Sequence, residues 1–314
     1  MSETYLITGV SGLIGSRLAS LLTAGSGISE EVRPSPARVV GVTRDPERAR
    51  CVVGNEVTLV GDLAEWNEPV DYLIHAAAPT ASRFFVEHPV ATMQAIVAGT
   101  RQALEWAREH PVKALACLSS LEVYGVPTQP GKLAEADLGY LDPRDVRSSY
   151  PQAKRLAETM CAAYAREFKV PARIVRLSCV VGPPVDEADV RFTAQVVRAM
   201  RSGAAVALAT PGRSARSHIG LDDAVAAIVA VLRCGADGEA YNAANEAAFC
   251  SIREFAETAA ALVGAQVAEP GPGSGSGEYL SERAVELDTG KLRALGWAPT
   301  QSLEQMLRSA ASLV

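Results

Sequence analysis

Short apolar runs alternate with longer segments of mixed polarity along the first half of the chain. The runs at 5–7, 38–43, 56–60, 70–74 and 112–118 predict buried strands. The segments at 13–22 and 90–109 carry apolar residues at helical spacing and predict helices. This alternation continues to about residue 177 and predicts an α/β fold with a Rossmann-type, doubly wound parallel sheet.

A glycine-rich turn, TGVSGLIG at residues 8–15, joins the first predicted strand to the first predicted helix. Gly9 permits a sharp turn, Gly12 lets the backbone approach a pyrophosphate, and Gly15 lets the helix pack closely on the strand. The helix N-terminus offers free N–H groups to phosphates. We therefore predict a dinucleotide site with contacts from Gly9, Ser11, Gly12, Leu13, Ile14 and Gly15.

The end of the second strand bears on which dinucleotide is bound. Thr43 stands where such folds usually place an acidic residue for the ribose of NAD, and Arg44 follows it. A guanidinium there can accept the 2′-phosphate of NADP, with Arg48 one turn further on. A solvated loop arginine is the alternative interpretation, so the sequence leaves NAD and NADP both open.

Two further strand ends contribute predicted cofactor contacts. Asp62, followed by Leu63, either meets the adenine or caps the next turn. Ala76 and Ala77 are small enough for a backbone to lie close to a flat ligand. His75 precedes them and is interpreted as a packed core histidine.

The composition excludes several classes of function. The 314 residues are 48% hydrophobic and 21% charged, with a formal net charge of −6. This charge gives no basic field for nucleic acid or anionic lipid. With no spanning apolar run and no leader at the N-terminus, we expect no membrane partner and a cytoplasmic protein.

The six cysteines are scattered, and no CxxC pair occurs among them. Most lie in apolar segments, which favours buried free thiols over disulfides or zinc. We expect no metal site.

A tyrosine and a lysine four residues apart carry the candidate chemistry. Tyr150 and Lys154 in SSYPQAK fall on one helical face, and a lysine beside a phenol lowers the phenol pKa. The phenolate can then remove a proton from an alcohol.

Several motifs resemble those of the extended short-chain dehydrogenase/reductases, in particular the nucleotide-sugar epimerase/dehydratase/decarboxylase group. The similar segments are TGVSGLIG, GDL at 61–63, SSLEVYG at 119–125, the YxxxK pair, RLSCVVGP at 176–183, GRSARSHIGLDD at 212–223, YNAAN at 241–245 and DTGKLRALGWAP from 288. The resemblance runs nearly end to end.

The resemblance implies an enzyme that oxidises the sugar of a nucleotide sugar at C4 with bound NAD or NADP. Tyr150 would take the proton of the 4-OH, Ser120 would bond the same oxygen, and Lys154 would anchor the ribose. Arg216 would hold the substrate pyrophosphate. Cys179 is an expected substrate contact that departs from the group, because an Asn usually stands there, and Ser217 replaces an Asp.

Glu122 indicates which reaction follows the oxidation at C4. Dehydratases and decarboxylases of the group carry Glu before ValTyrGly, whereas simple 4-epimerases usually carry a small neutral residue there. Sugar 4,6-dehydratases often carry an acidic or hydroxylic residue next to this Glu, at the position where this chain has Leu121. A dehydratase or decarboxylase is therefore favoured; an ion pair of Glu122 with a nearby arginine, such as Arg147 or Arg176, is the alternative.

Other functions compete with this interpretation. A nucleotide-sugar 4-epimerase shares the redox residues. The TRDP and HAAAP segments also resemble NADP-dependent carbonyl reductases of the dihydroflavonol-reductase type. A cofactor-sensing binding protein is disfavoured because Tyr150 and Lys154 are both present.

The motifs also predict the domain organisation. Residues 1–177 form the dinucleotide-binding domain, to which 219–246 return, and 178–218 with 247–314 form a substrate lobe. The Gly/Ser/Pro-rich stretches at 25–38 and 270–278 are expected to be a surface loop and a surface loop or lid. The resemblance implies a homodimer through a four-helix bundle of the helices at Val90 and Tyr150.

Overall fold

A computed structural model of the chain describes residues 2–24, 37–183, 189, 191–270 and 283–312. Most of the two Gly/Ser/Pro-rich stretches at 25–38 and 270–278 lies outside the described residues.

Strands and helices alternate along the described chain. The strands are β1 (Thr4–Thr8), β2 (Arg38–Val42), β3 (Thr58–Val60), β4 (Tyr72–His75), β5 (Ala114–Ser120), β6 (Lys132–Leu133), β7 (Ala172–Leu177), β8 (Cys179–Val181), β9 (Val206–Ala207), β10 (Ala215–Gly220), β11 (Ala240–Ala243), β12 (Asn245–Ser251), β13 (Val267–Ala268) and β14 (Ala284–Leu287). The helices are α1 (Leu13–Ala24), α2 (Pro46–Val53), α3 (Ser82–Glu87), α4 (Pro89–Glu109), α5 (Ser149–Phe168), α6 (Phe192–Ser202), α7 (Leu221–Cys234), α8 (Ile252–Val263), α9 (Gly290–Arg293) and α10 (Leu303–Ala311).

A parallel sheet lies at the centre of the fold. Among the described residues, seven strands form it in the order β11-β7-β5-β4-β1-β2-β3. Every neighbouring pair is parallel. This is the predicted doubly wound sheet, and the strands predicted from apolar runs are all present with boundaries shifted by one or two residues.

The first strand shows why its apolar run is continuous. Tyr5 and Ile7 pack in the core on one face of the sheet, and Leu6 packs in the core on the other. Because helices cover both faces of a parallel sheet, successive side chains are all buried. Helices α1 and α7 contribute to the first core, and α4 and α5 to the second.

A second sheet is built around β10. This strand pairs antiparallel with β12 and parallel with β8 and β14, and β14 pairs with β6. Helices α6, α8 and α10 share a separate apolar core beside it. Helix α7 and strand β11 return to the central sheet, and Leu292 and Trp297 also pack in its core.

The prediction for the cysteines has two parts, that they are free thiols and that they are buried. All six are free thiols, as expected. The expectation that they are buried holds for Cys117 and Cys161 but is wrong for Cys51 and Cys234, which are exposed on helix surfaces. Within the described residues, no helix has the length and apolar character needed to cross a membrane.

Two histidines are buried in polar niches. Nδ1 of His75 lies 2.8 Å from the Thr8 hydroxyl, and Nδ1 of His218 lies 3.1 Å from the Ala248 carbonyl oxygen. The interpretation of His75 as a core residue is confirmed, since only 4% of it is exposed. Burial lowers the pKa of His75 to about 3 and that of His218 to about 4.

These pKa values predict loss of stability in mild acid. An unfolded histidine binds a proton below about pH 6.5, whereas the buried rings stay neutral to about pH 4, so the free energy of unfolding falls as pH falls through that window. The variant His218→Gln should lose about 2 kcal/mol less than the parent between pH 7 and pH 5. Denaturant unfolding at both pH values checks this, with the exposed His88→Gln as control. An unchanged pH slope in His218→Gln would contradict it.

Candidate active site

The glycine turn has the backbone geometry needed to hold a dinucleotide. Gly9 adopts φ +71°, and a Cβ on it would lie 2.8 Å from the Ala77 backbone; a Cβ on Gly15 would lie 2.3 Å from the Gly9 carbonyl oxygen. A Cβ on Gly12 would meet only that oxygen, at 3.4 Å. Gly9 and Gly15 are therefore required by packing, whereas Gly12 leaves open space above the turn.

The residues around this open space fit a pyrophosphate. Ser11 and Gly12 are exposed, and Leu13 and Ile14 are half-buried at the start of α1. Helix α1 has no acidic residue in its first turn, so its N-terminal N–H groups and dipole face no competing carboxylate from that turn. A dinucleotide such as NAD or NADP fits this turn.

The other predicted cofactor residues also lie at the carboxyl edge of the sheet. Asp62 Oδ1 accepts hydrogen bonds from the Ala64 N–H at 2.9 Å and from Gln102 Nε2 at 2.8 Å, and Leu63 is buried beside it. Asp62 therefore caps the short turn that follows, and a contact with adenine stays a prediction. Ala76 and Ala77 continue from β4 against the glycine turn.

Ser120, Tyr150 and Lys154 are brought together by β5 and α5. Ser120 ends β5, while Tyr150 and Lys154 lie one turn apart at the start of α5, with the Lys154 ammonium 6.0 Å from the phenol ring centroid. Both α5 residues are at least nine-tenths buried. Lys154 Nζ donates a hydrogen bond to the Leu118 carbonyl at 2.7 Å.

The expected lowering of the phenol pKa by Lys154 is wrong for this structure. Burial raises the pKa of Tyr150 to about 12, and a hydrogen bond to Ser120 opposes this only in part. The physical reason is the loss of solvent around the phenolate, together with an ammonium directed at a backbone carbonyl. The pKa of Lys154 itself is lowered by burial.

A ring from α3 covers Tyr150. The Phe85 ring stacks on the phenol at a centroid distance of 4.1 Å and an interplanar angle of 8°. The Arg147 guanidinium lies over the Phe85 ring, 5.5 Å from its centroid. This stack contributes to the burial that raises the phenol pKa.

A buried carboxylate beside this set is surrounded by guanidinium groups. Glu122 Oε2 accepts a hydrogen bond from Arg283 Nη2 at 2.6 Å, and Oε1 accepts one from Arg216 Nη1 at 3.2 Å. Burial raises the pKa of Glu122, but the charges of Arg216, Arg283 and Arg147 outweigh it and bring the pKa below its ordinary value. Three cations against one carboxylate leave a net positive site.

Each of these arginines keeps a buried donor atom without a partner among the described residues. The atoms are Arg147 Nη1, Arg216 Nε and Arg283 Nε. Unpaired buried N–H groups are costly, so a cluster of them indicates a place where a ligand acceptor completes the hydrogen bonds. The charge and the open donors together define a site for an anion.

The alternative interpretation, an ion pair of Glu122 with a nearby arginine, is borne out with Arg216 and Arg283 but not with Arg176. Arg176 Nη2 donates to Glu158 at 2.8 Å, and Arg176 Nη1 donates to the Tyr124 hydroxyl at 3.0 Å. That arginine belongs to a separate buried network behind Lys154. Arg147, the other alternative partner, acts on Glu122 through its charge.

The two predicted substrate residues lie side by side. Cys179 on β8 and Arg216 on β10 belong to paired strands, and the pKa of Cys179 is raised by burial although Arg216 opposes this. In the described structure the Arg216 guanidinium contacts Glu122. Its role toward a pyrophosphate stays a prediction.

Arg283 is the site residue that the sequence analysis did not single out. It precedes β14, carries no motif, and reaches Glu122 across a separation of 161 residues. It also donates to the Gly125 carbonyl at 2.9 Å. Only the pairing of β14 with β10 and β6 brings it to the site, so no local signal reveals it.

Most of the chain is similar in sequence to one protein family and to individual members of known function. Residues 5–244 match the model of the NAD dependent epimerase/dehydratase family. UDP-glucuronic acid decarboxylase 3 of Arabidopsis thaliana is 30% identical over 241 residues, covering 76% of this chain and 68% of that protein. UDP-glucuronic acid decarboxylase 1 of Xenopus tropicalis is 28% identical over 315 residues, covering 97% and 70%.

Solved structures share the fold. UDP-glucose 4-epimerase of Thermotoga maritima superposes with a TM-score of 0.82 at 20% identity, covering 99% of this chain and 98% of that one. A dTDP-glucose 4,6-dehydratase of Streptomyces venezuelae, solved with NAD, superposes with a TM-score of 0.79 at 23% identity, covering 98% and 95%.

The arginine cluster predicts a large cost for neutralising its carboxylate. The variant Glu122→Gln leaves buried guanidinium groups without their counter-charge and should lower the free energy of unfolding by about 3 kcal/mol. Denaturant unfolding measures this. Glu68→Gln is the control, because its ion pair with Arg38 is exposed and should cost under about 1 kcal/mol. Equal losses in the two variants would contradict the prediction.

Proposed function

The chain belongs to the NAD-dependent epimerase/dehydratase family, and we propose that it decarboxylates a nucleoside diphosphate uronate after oxidising the sugar at C4. UDP-glucuronate is the first substrate to test, because the UDP-glucuronic acid decarboxylases are among its relatives.

The observation that carries this proposal is the anion site at Glu122. Its three guanidinium groups and their open donors lie next to the Ser120, Tyr150 and Lys154 set. A uronate carries a carboxylate on C5, two bonds from the carbon that is oxidised. Arg216 is predicted to bind the pyrophosphate, which every nucleotide sugar carries. A neutral hexose has no further charged group for Arg283 and Arg147, so these two arginines favour a uronate over a simple 4-epimerase substrate.

The first step is oxidation at C4. Tyr150 takes the proton of the 4-OH, Ser120 hydrogen-bonds the same oxygen, and Lys154 holds the cofactor ribose. NAD, when bound, accepts the hydride from C4 and later returns it. Burial raises the pKa of Tyr150 to about 12 in the protein alone, so cationic charge from a bound cofactor would favour the phenolate.

The second step is loss of carbon dioxide from the resulting β-keto acid. The C5–C6 bond breaks, its electron pair moves into an enolate at C4 and C5, and Ser120 with Tyr150 stabilises the enolate oxygen. C5 then takes a proton, and the ketone at C4 is reduced back to an alcohol. No net oxidation or reduction of the cofactor results.

Glu122 and the arginines have opposite effects on the substrate carboxylate. Arg283 and Arg147 attract and orient it. The Glu122 carboxylate, which is ionised because its pKa is lowered, keeps the cluster from neutralising it fully. When carbon dioxide departs, the negative charge of the substrate carboxylate moves into the enolate. The repulsion between that carboxylate and Glu122 is then relieved.

Mass analysis of products tests the proposal. The purified protein is incubated with UDP-glucuronate and with UDP-, dTDP-, GDP- and CDP-hexoses. We expect loss of carbon dioxide from the uronate and no net change in reduced cofactor. Loss of water would indicate a dehydratase, an isobaric product an epimerase, and steady NADPH consumption with a carbonyl compound a reductase; each of these results would overturn the proposal.

Two variants separate the chemical steps in the same assay. Tyr150→Phe should abolish oxidation and all product. Glu122→Gln should still form reduced cofactor on mixing but should lose product formation at least about 100-fold. Assays run below the melting temperature of each variant, with Glu68→Gln as the control that keeps full activity. Normal product formation by Glu122→Gln would refute its role.

We propose that the two parts of the chain, as predicted from the motifs, bind different molecules. Residues 1–177 and 219–246 carry the cofactor, and 178–218 with 247–314 carry the substrate. The pairing of β11 with β7 supports the first part, while Leu292 and Trp297 tie the C-terminal segment to its core. We also propose a cytoplasmic location, which suits six free cysteines.

We propose that the protein is a homodimer through α4 and α5, which pack on each other in the described chain. Val90 is 59% exposed and Leu156 is 48% exposed, and Val86 and Met93 are further exposed apolar residues nearby in the sequence. A second copy of the same helix pair would cover them in a four-helix bundle.

Charges on this face should dissociate the dimer. The double variant Val90→Glu/Leu156→Glu places carboxylates in a symmetric apolar contact, so it should run as a monomer in size-exclusion chromatography with light scattering. Val52→Glu, at an exposed valine of α2, is the control and should stay dimeric. A monomeric parent, or a dimeric double variant, would contradict the proposed interface.

A further inference from the structure

The structure shows which groups are free at the end of β2, where the sequence left NAD and NADP open. This edge adjoins the glycine turn, because β1 and β2 pair in parallel with Thr8 opposite Val42, and the Gly9 N–H donates to the Val42 carbonyl at 3.3 Å. Residues that follow β2 therefore lie beside the adenosine end of a dinucleotide held by that turn.

Among the described residues, neither Thr43 nor the carboxylates of Asp45 and Asp62 provide an uncommitted acceptor for a ribose 2′-OH. Thr43 holds the usual acidic position, and its hydroxyl is engaged with the Asp45 backbone N–H and carbonyl at 3.2 Å. The Asp45 carboxylate caps α2 by accepting from the Arg48 N–H at 3.0 Å. Asp62 caps its own turn and accepts from Gln102. The contact that selects NAD in such folds is missing from these residues.

Arg44 is the cation available at the same place. It is exposed, and within the described part of the chain its side chain makes no hydrogen bond or ion pair. Neighbouring Arg50, by contrast, donates to the carbonyl oxygens of Gly54 and Val57. A guanidinium that is not committed to the protein can bind a phosphate through two parallel N–H···O hydrogen bonds.

We propose that Arg44 recognises the 2′-phosphate of NADP, so that this chain binds NADP more tightly than NAD within a family described by its use of NAD. The inference concerns the adenosine end of the cofactor and does not depend on which sugar is modified. The redox step needs only the nicotinamide end, which the two dinucleotides share.

Cofactor titrations test the proposal without any turnover. After removal of bound nucleotide, the protein is titrated with NADP and with NAD in a calorimeter. We expect NADP to bind at least tenfold more tightly. Arg44→Ala should weaken NADP binding about tenfold and leave NAD binding within twofold, and Arg44→Asp should reverse the preference because a carboxylate then meets the ribose hydroxyls.

The matched control is Arg166→Ala, which removes an exposed arginine at the opposite end of α5 from Tyr150 and should change neither affinity. Thermal melts verify that each variant is folded. Equal or tighter binding of NAD by the parent protein would overturn the proposal. So would equal loss of both cofactors in Arg44→Ala, since Arg44 would then serve the shared part of the dinucleotide.

Discussion

A buried carboxylate links the two main sheets of this protein. Glu122 follows β5 of the central sheet, and its hydrogen-bond partners Arg216 and Arg283 belong to the second sheet. Burying a carboxylate or a guanidinium alone is expensive, and each is tolerated here because the others are present. The ends of the two sheets must therefore meet at this point, and the candidate active site lies where they meet.

Two buried charge clusters in the same region differ in their balance of charge. Glu158 receives hydrogen bonds from Arg176 and from the Ser119 hydroxyl, and Arg176 also reaches Tyr124 and the Glu135 carbonyl. That network balances one cation with one anion. The Glu122 cluster has excess positive charge and donor atoms without partners. The first arrangement is complete within the protein, whereas the second supports the proposed binding of a charged ligand.

The redox end and the adenosine end of the site both carry groups that the protein alone leaves uncompensated. Tyr150 is buried under Phe85, and this burial raises its pKa. At the adenosine end, the available group is an exposed arginine without a partner among the described residues. These groups support the two proposals, an anionic sugar near Glu122 and a phosphorylated ribose near Arg44.

The sequence by itself determined the central sheet and the elements that carry the redox residues. The apolar runs of the parallel strands, the glycine turn at Gly9 and the four-residue spacing of Tyr150 and Lys154 are local signals, since each depends on neighbours along the chain. The position of Ser120 at a strand end was also readable, because strand and motif coincide.

Only the tertiary structure decided the electrostatics of the site. Arg283 lies 161 residues from Glu122 and has no motif, so its role depends on strand pairing alone. The direction of the Tyr150 pKa shift was wrong when derived from Lys154, because burial is a property of the packed fold and outweighs one neighbouring charge. Whether Arg44 is free or paired likewise depends on contacts in space. Local pattern specifies which elements form, but burial and charge balance arise from segments distant in sequence.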